Sequence, residues 1–257
     1  MSGGSHLARI LEDKRRRLDR GDYAAPPAGS GGSDGGRFVA ALREPGARVI
    51  AEIKAGSPSA GEILASPEGA VDSLAAAYAR GGAAAISVVT EEDHFGGQPR
   101  WLPRVKEASE LPVLMKDFFL DERQLDHALA LGADAVLLIA AALPPEELAA
   151  MRRGARDRGL AVVAEAHDEE ELLRAAAVDP DVLAINARDL ATFRVDLAAA
   201  GRLGGRIPPG PVRLAESGIR GRTDVLRLAA AGFEAFLVGE SLLRAGDPER
   251  ALRSLLS

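Results

Sequence analysis

RVIAEIKAGSPSAG (48–61) is the stretch on which the choice between two architectures turns. RVIAEIK is an apolar run of strand length, and period-two alternation puts Glu52 and Lys54 on one face of it. The turn that follows decides the matter. A doubly wound open sheet usually announces itself here with a GxGxxG dinucleotide fingerprint, and AGSPSAG is not one. Seven more runs of the same kind follow: AAISVVT (84–90), VLMKDF (113–118), AVLLIAA (135–141), AVVAEAH (161–167), VLAINAR (182–188), VRLAESG (212–218) and AFLVGES (235–241). Between them lie helix-like stretches such as PEGAVDSLAAAYARGG and DERQLDHALALGA, many with Asp or Pro near the start and Gly at the close. Eight strand-helix units in unbroken alternation predict an α/β fold, a (β/α)8 TIM barrel.

Ahead of the barrel, LARILEDKRRRLDR (7–20) has helical apolar spacing at Leu7, Ile10, Leu11 and Leu18. The Pro/Gly/Ser-rich segment 24–36 reads as a mobile surface loop; no strand precedes it to hold it against a phosphate. The expected organisation is one barrel domain over 1–257. Residues 1–47 form an N-terminal extension of a helix and this loop.

Composition narrows the function. A net charge of −6 argues against non-specific nucleic-acid binding and against adhesion to an acidic membrane surface. Hydrophobic residues make up 47% and aromatics only 4%, so the core is expected to be mostly Ala, Leu and Val. The absence of cysteine excludes disulfides, thiol catalysis and cysteine-zinc sites. The first twenty residues carry no apolar segment of signal-peptide type, and no run is long enough to span a bilayer. The expectation is a cytoplasmic enzyme acting on a soluble small molecule, as a monomer or weak homo-oligomer.

Active sites of this fold form where the C-terminal ends of the strands converge. Polar residues gather at that end: Glu52 and Lys54, Thr90 and Glu91, Lys116 and Asp117, Glu165 and His167, Asn186 and Arg188, Glu216 and Ser217. Any one of them could mark a strand reaching solvent; six strands together predict a ring of functional groups. Only four of the 32 basic residues are lysines, Lys14, Lys54, Lys106 and Lys116. Arginine does not release its proton near neutral pH, whereas a shielded lysine can be tuned to do so. Alternation turns Asp117 away from Lys116, which gives it a structural task. Ser217-Gly218 and Gly239-Glu240-Ser241, after the last two runs, occupy the fold's usual phosphate position, where backbone N–H groups and a helix N-terminus favour an anion. No His/Asp/Glu spacing suggests a metal site, and no nucleophilic serine sits in a GxSxG turn. General acid-base chemistry by Lys and Glu without metal or cofactor is the expectation. A Schiff-base lysine at Lys116 or Lys54 is the covalent alternative.

AEIKAGSPSAGEI (51–63), SVVTEEDHFGG (87–97), PVLMKDFFLDERQL (112–125), VVAEAHDEEEL (162–172), INARDLATFRVDL (185–197), LAESGI (214–219) and FLVGESLL (236–243) resemble the indole-3-glycerol phosphate synthase family, in the family's order and spacing. The resemblance covers nearly the whole chain. It implies a carbon-carbon lyase of tryptophan biosynthesis that closes the indole ring of 1-(o-carboxyphenylamino)-1-deoxyribulose 5-phosphate with loss of carbon dioxide and water. By that resemblance Lys116 is the general acid for ring closure. Lys54 binds the phosphate and carboxylate region and shares in proton transfer, and Glu165 is the acid or base of the dehydration. Glu52, Asn186 and Arg188 orient these groups and the substrate, with Glu216 and Ser217 beside them. Ser57, Gly218, Gly239 and the Glu240 backbone hold the phosphate. A lysine that gives up its proton at neutral pH is expected to have a lowered pKa, through desolvation or a neighbouring cation such as Lys54 or Arg188.

The chain departs from the family at Ala55, where a second basic residue is usual, and at Ala187, where many members have Asn. These differences leave room for a specialised paralogue of secondary metabolism. A phosphoribosylanthranilate isomerase is disfavoured because its chemistry uses a Cys, and a silent scaffold barrel because Lys54, Lys116, Glu165 and Asn186 are all in place.

Overall fold

The computed structural model describes residues 6–23, 33–189 and 192–257. Eight parallel strands close into a barrel: β1 (Arg48–Ile53), β2 (Ala85–Val89), β3 (Val113–Lys116), β4 (Ala135–Ile139), β5 (Ala161–Ala166), β6 (Val182–Asn186), β7 (Val212–Glu216) and β8 (Ala235–Val238). Each expected run contains one, and closure is completed by pairing of β1 with β8 and with β2. Alternation splits the core in two. Val49, Ala51 and Ile53 point out against the surrounding helices, while Ile50, Leu114, Val163 and Leu214 fill the interior. Because both faces are covered, the strands read as near-continuous apolar runs.

The N-terminal extension grips the barrel at both ends. α1 (His6–Arg20) buries Ile10, Leu11, Lys14 and Leu18, a helical stripe that has a lysine at its centre. Lys14 Nζ lies 2.6 Å from Asp117 Oδ1, 3.7 Å from Glu91 Oε1 and 2.8 Å from the Tyr23 hydroxyl. Thr90 Oγ1 donates to the other Asp117 oxygen at 3.0 Å, so Asp117 has the structural task that alternation assigned to it. Arg17 pairs with Glu92, and His94 Nε2 meets Asp13 at 3.0 Å. Apart from Tyr23, which follows α1, these partners sit at the C-terminal ends of β2 and β3, so α1 lies beside that mouth of the barrel.

The other end of the barrel corrects one expectation. The loop assigned to 24–36 does not extend that far, because α2 (Gly35–Arg43) begins inside it; residues 24–32 lie outside the described residues. Asp34 caps α2 by accepting from the Arg37 N–H, and its own N–H donates to Asp134 at the foot of β4. Phe38 and Leu42, four residues apart, enter the barrel floor fully buried. Burial of side chains of this size contributes about 1.5–3 kcal/mol each. Gly35 serves close approach, since a Cβ on it would stand 2.5 Å from Ala161 N and 2.6 Å from Gly159 O.

The remaining helices are α3 (Pro67–Gly81), α4 (Trp101–Ser109), α5 (Glu122–Ala130), α6 (Pro145–Asp157), α7 (Glu169–Ala177), α8 (Leu197–Gly204), α9 (Arg222–Ala230), α10 (Glu240–Leu243) and α11 (Pro248–Leu256). The segment after β8 is thus two helices. Among the described residues no helix is long and apolar enough to cross a membrane.

Removing one partner of a buried ion pair leaves an uncompensated charge and costs about 3–5 kcal/mol. Lys14→Met is therefore expected to lower unfolding stability by that amount. Amide exchange over 6–20, measured on the same variant, should lose its protection; unchanged exchange there would refute the anchoring role of Lys14.

Candidate active site

Barrel geometry sets four side chains of alternate strands in one layer. At the C-terminal end the odd strands deliver Glu52 from β1, Lys116 from β3, Glu165 from β5 and Glu216 from β7, all turned inward by the same alternation as the apolar residues below them. The layer holds one ammonium and three carboxylates. Lys116 Nζ lies 2.6 Å from Glu216 Oε2 and 3.3 Å from Glu52 Oε2. Glu52 is shared, its Oε1 accepting from Lys54 Nζ at 2.6 Å. Glu165 Oε1 is 3.2 Å from His167 Nε2, and the Asn186 amide acts on the same carboxylate.

The charges in this layer decide its protonation. Burial pushes the Lys116 ammonium down, but Glu216, Glu52 and Glu165 outweigh burial and hold it above the ordinary lysine range. The expectation of a lowered lysine pKa is overturned. Its neighbours are carboxylates, Lys54 is engaged by Glu52, and the Arg188 guanidinium donates to the Phe193 carbonyl at 3.2 Å. Burial likewise opposes ionisation of Glu52, yet Lys54 and Lys116 lower its carboxyl to about 2. Glu165 is held below its usual value, against burial, by His167 first and then by Lys116 and Asn186. Glu216 goes the other way. Burial pushes it up to about 7, aided by the nearby Glu165 and Glu52 charges, although Lys116 pulls it down. Its Oε1 has no hydrogen-bond partner.

Above the layer opens a cavity of about 750 Å³. Of the residues singled out in the sequence, Glu52, Lys54, Ser57, Lys116, Glu165, Asn186, Arg188, Ser217, Gly218, Gly239 and Glu240 line it. Glu216 does not; it is buried and faces Lys116. One side of the mouth is shaped by backbone. Ser217 and Gly218 both adopt left-handed φ, +68° and +77°. A Cβ on Gly218 would stand 2.3 Å from Val195 Cγ1, and one on Gly239 would stand 2.6 Å from Glu52 Oε1. Gly239 therefore leaves room for the shared carboxylate. The Glu240 side chain is occupied by Arg244 Nε at 3.1 Å. After β1, the AGSPSAG turn folds back as a two-stranded ribbon pairing Gly56–Ser57 with Gly61–Glu62, and Ser57 Oγ accepts from the Ala60 N–H at 3.1 Å.

Sequence reasoning missed several parts of the mouth. Phe95, Phe118 and Phe193 line the cavity and supply apolar walls for a planar ring, while Arg220 and Arg244 add cations beside Ser217, Gly218 and Glu240. Spacing gave no signal for these, since they lie on loops. The grouping of Glu52, Lys116, Glu165 and Glu216 did have one, the odd-strand rule applied to the eight runs.

A family model described as indole-3-glycerol phosphate synthase matches residues 8–255. Indole-3-glycerol phosphate synthase 2 of Streptomyces coelicolor is 48% identical over 233 residues, covering 91% of this chain and 87% of that protein. Indole-3-glycerol phosphate synthase of Geobacillus thermodenitrificans is 44% identical over 252 residues, covering 97% and 96%. Among solved structures, a 3-hexulose-6-phosphate synthase superposes with a TM-score of 0.66 at 20% identity, over 81% of this chain and 97% of its own, a likeness of fold alone.

A carboxyl raised above its ordinary value favours folding below that ordinary value, near pH 4.5, and loses this contribution as pH rises through the folded-state value near 7. Glu216→Gln removes the titration. Its melting temperature relative to the parent chain should therefore rise by a few degrees between pH 5.5 and pH 8.5. A difference that stays flat with pH would contradict the assignment.

Proposed function

The chain belongs to the indole-3-glycerol phosphate synthase family, a decarboxylating lyase of tryptophan biosynthesis, and from that premise we propose how its own residues perform the reaction. The substrate is 1-(o-carboxyphenylamino)-1-deoxyribulose 5-phosphate. Its phosphate lies against the Ser217-Gly218 and Gly239-Glu240 backbone with Ser57 and Lys54. Its aromatic ring lies between the phenylalanines of the opposite wall. This orientation brings the ribulose ketone over Lys116 and the aryl carboxylate toward Lys54 and Arg188.

Ring closure joins the aromatic carbon bearing the carboxylate to the ketone carbon, and negative charge develops on the ketone oxygen. Lys116 stabilises that charge and passes its proton to the oxygen. A raised pKa suits this step. The acceptor is an incipient alkoxide, more basic than an ordinary lysine, and the three carboxylates keep the donor loaded at every physiological pH. Carbon dioxide then leaves, its electrons drawn into the iminium formed at closure, so the electron sink belongs to the intermediate itself. Dehydration completes the pyrrole ring. It requires one group to take a proton from carbon and one to protonate the departing hydroxyl, and Glu165 and Lys54 flank that position.

The observation that carries this reading is the contact of Lys116 with carboxylates on two other strands at the floor of the cavity. Arginine keeps the charge but cannot give up its proton. Lys116→Arg is expected to lower turnover about 10²–10⁴-fold while the fold is retained. Indole fluorescence on mixing purified protein with the carboxyphenylamino substrate reads this directly. Turnover within a few-fold of the parent chain would exclude Lys116 as the acid; no fluorescence from the parent chain at high concentration would favour a scaffold or specialised paralogue.

A further inference from the structure

His167 touches no substrate in the arrangement above, yet it is built into the site. Its backbone N–H donates to Glu171 Oε2 at 2.9 Å, and its Nδ1 meets the same oxygen at 2.9 Å. On the other side of the ring, Nε2 stands 3.2 Å from Glu165 Oε1, an ion-pair contact without good hydrogen-bond alignment. A neutral imidazole has one N–H and one lone pair, so between two carboxylates it would turn a lone pair on one of them. Two carboxylates call for both nitrogens protonated. Burial disfavours that cation, but Glu165 and then Glu171 outweigh it and lift His167 to about 10.

The groups facing this pair are few. Glu171, in the first turn of α7, and Glu165 on β5 face the ring. Lys116 from β3, Asn186 from β6 and Glu216 from β7 act on Glu165 from neighbouring strands. Lys116 is already divided among three carboxylates, which leaves His167 as the cation given over to Glu165.

We infer that His167 is a positioning residue: anchored on Glu171, its ring fixes the Glu165 carboxylate for its part in the dehydration. The inference rests on the catalytic placement of Glu165 proposed above. In that step Glu165 takes the proton from the ring carbon next to nitrogen. The C–H electron pair becomes the new ring double bond, the C–O bond to the hydroxyl breaks, and Lys54 supplies the proton with which it leaves as water. Return of the proton from Glu165 to Lys54 resets both groups.

The test reads protonation as well as rate. Single-turnover indole formation is followed from pH 5 to pH 9 in the parent chain, His167→Gln, Glu171→Gln and Glu165→Gln. Removing the cation frees the Glu165 carboxyl to rise, so the acid limb of His167→Gln is expected to move up by about one pH unit or more. At pH 5 that variant should lose about threefold or more in rate relative to the parent chain, and from pH 7 upward the two should run within a few-fold of each other. Glu171→Gln should shift the limb in the same direction by less. A limb that stays in place, or an equal loss at every pH, would overturn the role of His167. Substantial activity in Glu165→Gln would instead overturn the catalytic placement of Glu165. If His167→Gln does not fold, ring nitrogen chemical shifts of His167 in the parent chain decide: both nitrogens protonated at pH 8 support the inference, and a neutral ring refutes it.

Discussion

One ammonium shared by three buried carboxylates organises this molecule. Lys116 meets Glu216 at 2.6 Å and Glu52 at 3.3 Å, with Glu165 acting on it from across the layer. Removing each of these ions from water carries a penalty of several kcal/mol, which mutual attraction offsets only when the geometry is fixed. Since one positive charge does not neutralise three negative ones, each carboxylate settles its surplus differently. Glu52 takes a second lysine, Lys54, and Glu165 takes His167. Glu216 has an unpartnered oxygen and rises toward neutrality. The three glutamates are alike in the sequence and different in the barrel, and those differences set each one's protonation apart.

A fixed geometry needs rigid walls, and the N-terminal extension supplies part of that rigidity. α2 closes the floor with Phe38 and Leu42, while α1 is tied beside the mouth through Lys14, Asp117 and Glu91. Asp117 follows Lys116 directly, so the end of β3 is held from both sides: the lysine by carboxylates inside the barrel, the aspartate by a lysine outside it. A shift of α1 would reach Lys116 through a single peptide unit. On the far side of the mouth, Gly218 and Gly239 admit the Val195 side chain and the Glu52 carboxylate at distances a Cβ would forbid. The backbone at Gly218 and Gly239 and the layer of Glu52, Lys116, Glu165 and Glu216 are therefore parts of one packed structure.

Much of this was legible beforehand because it depends on local periodicity. Eight runs with polar residues at one end, and alternation that turns Glu52, Lys54, Lys116, Glu165, Asn186 and Glu216 inward, follow from a two-residue repeat that chain neighbours enforce. The rarity of lysine pointed to Lys116, and the same alternation turned Asp117 away. Local reasoning failed where a residue takes its meaning from a distant partner. The apolar spacing over 7–20 picked out Leu7, Ile10, Leu11 and Leu18 and passed over Lys14, yet Lys14 is buried against Asp117. Gly35 and Gly36 looked like the end of a loop, yet they open a helix pressed against the foot of β5.

By itself, the sequence determined the strand-helix alternation, the face on which each polar residue stands, and a set of motifs specific enough to identify the family. Tertiary structure alone decided who meets whom across the barrel, and with that the sign of the Lys116 shift, the burial of Glu216 behind Lys116 and the clamping of His167 between Glu165 and Glu171. The physical reason is range. The pleat is set by neighbours along the chain, whereas a protonation state is set by charges brought within a few ångströms when β1, β3, β5 and β7 close into one layer.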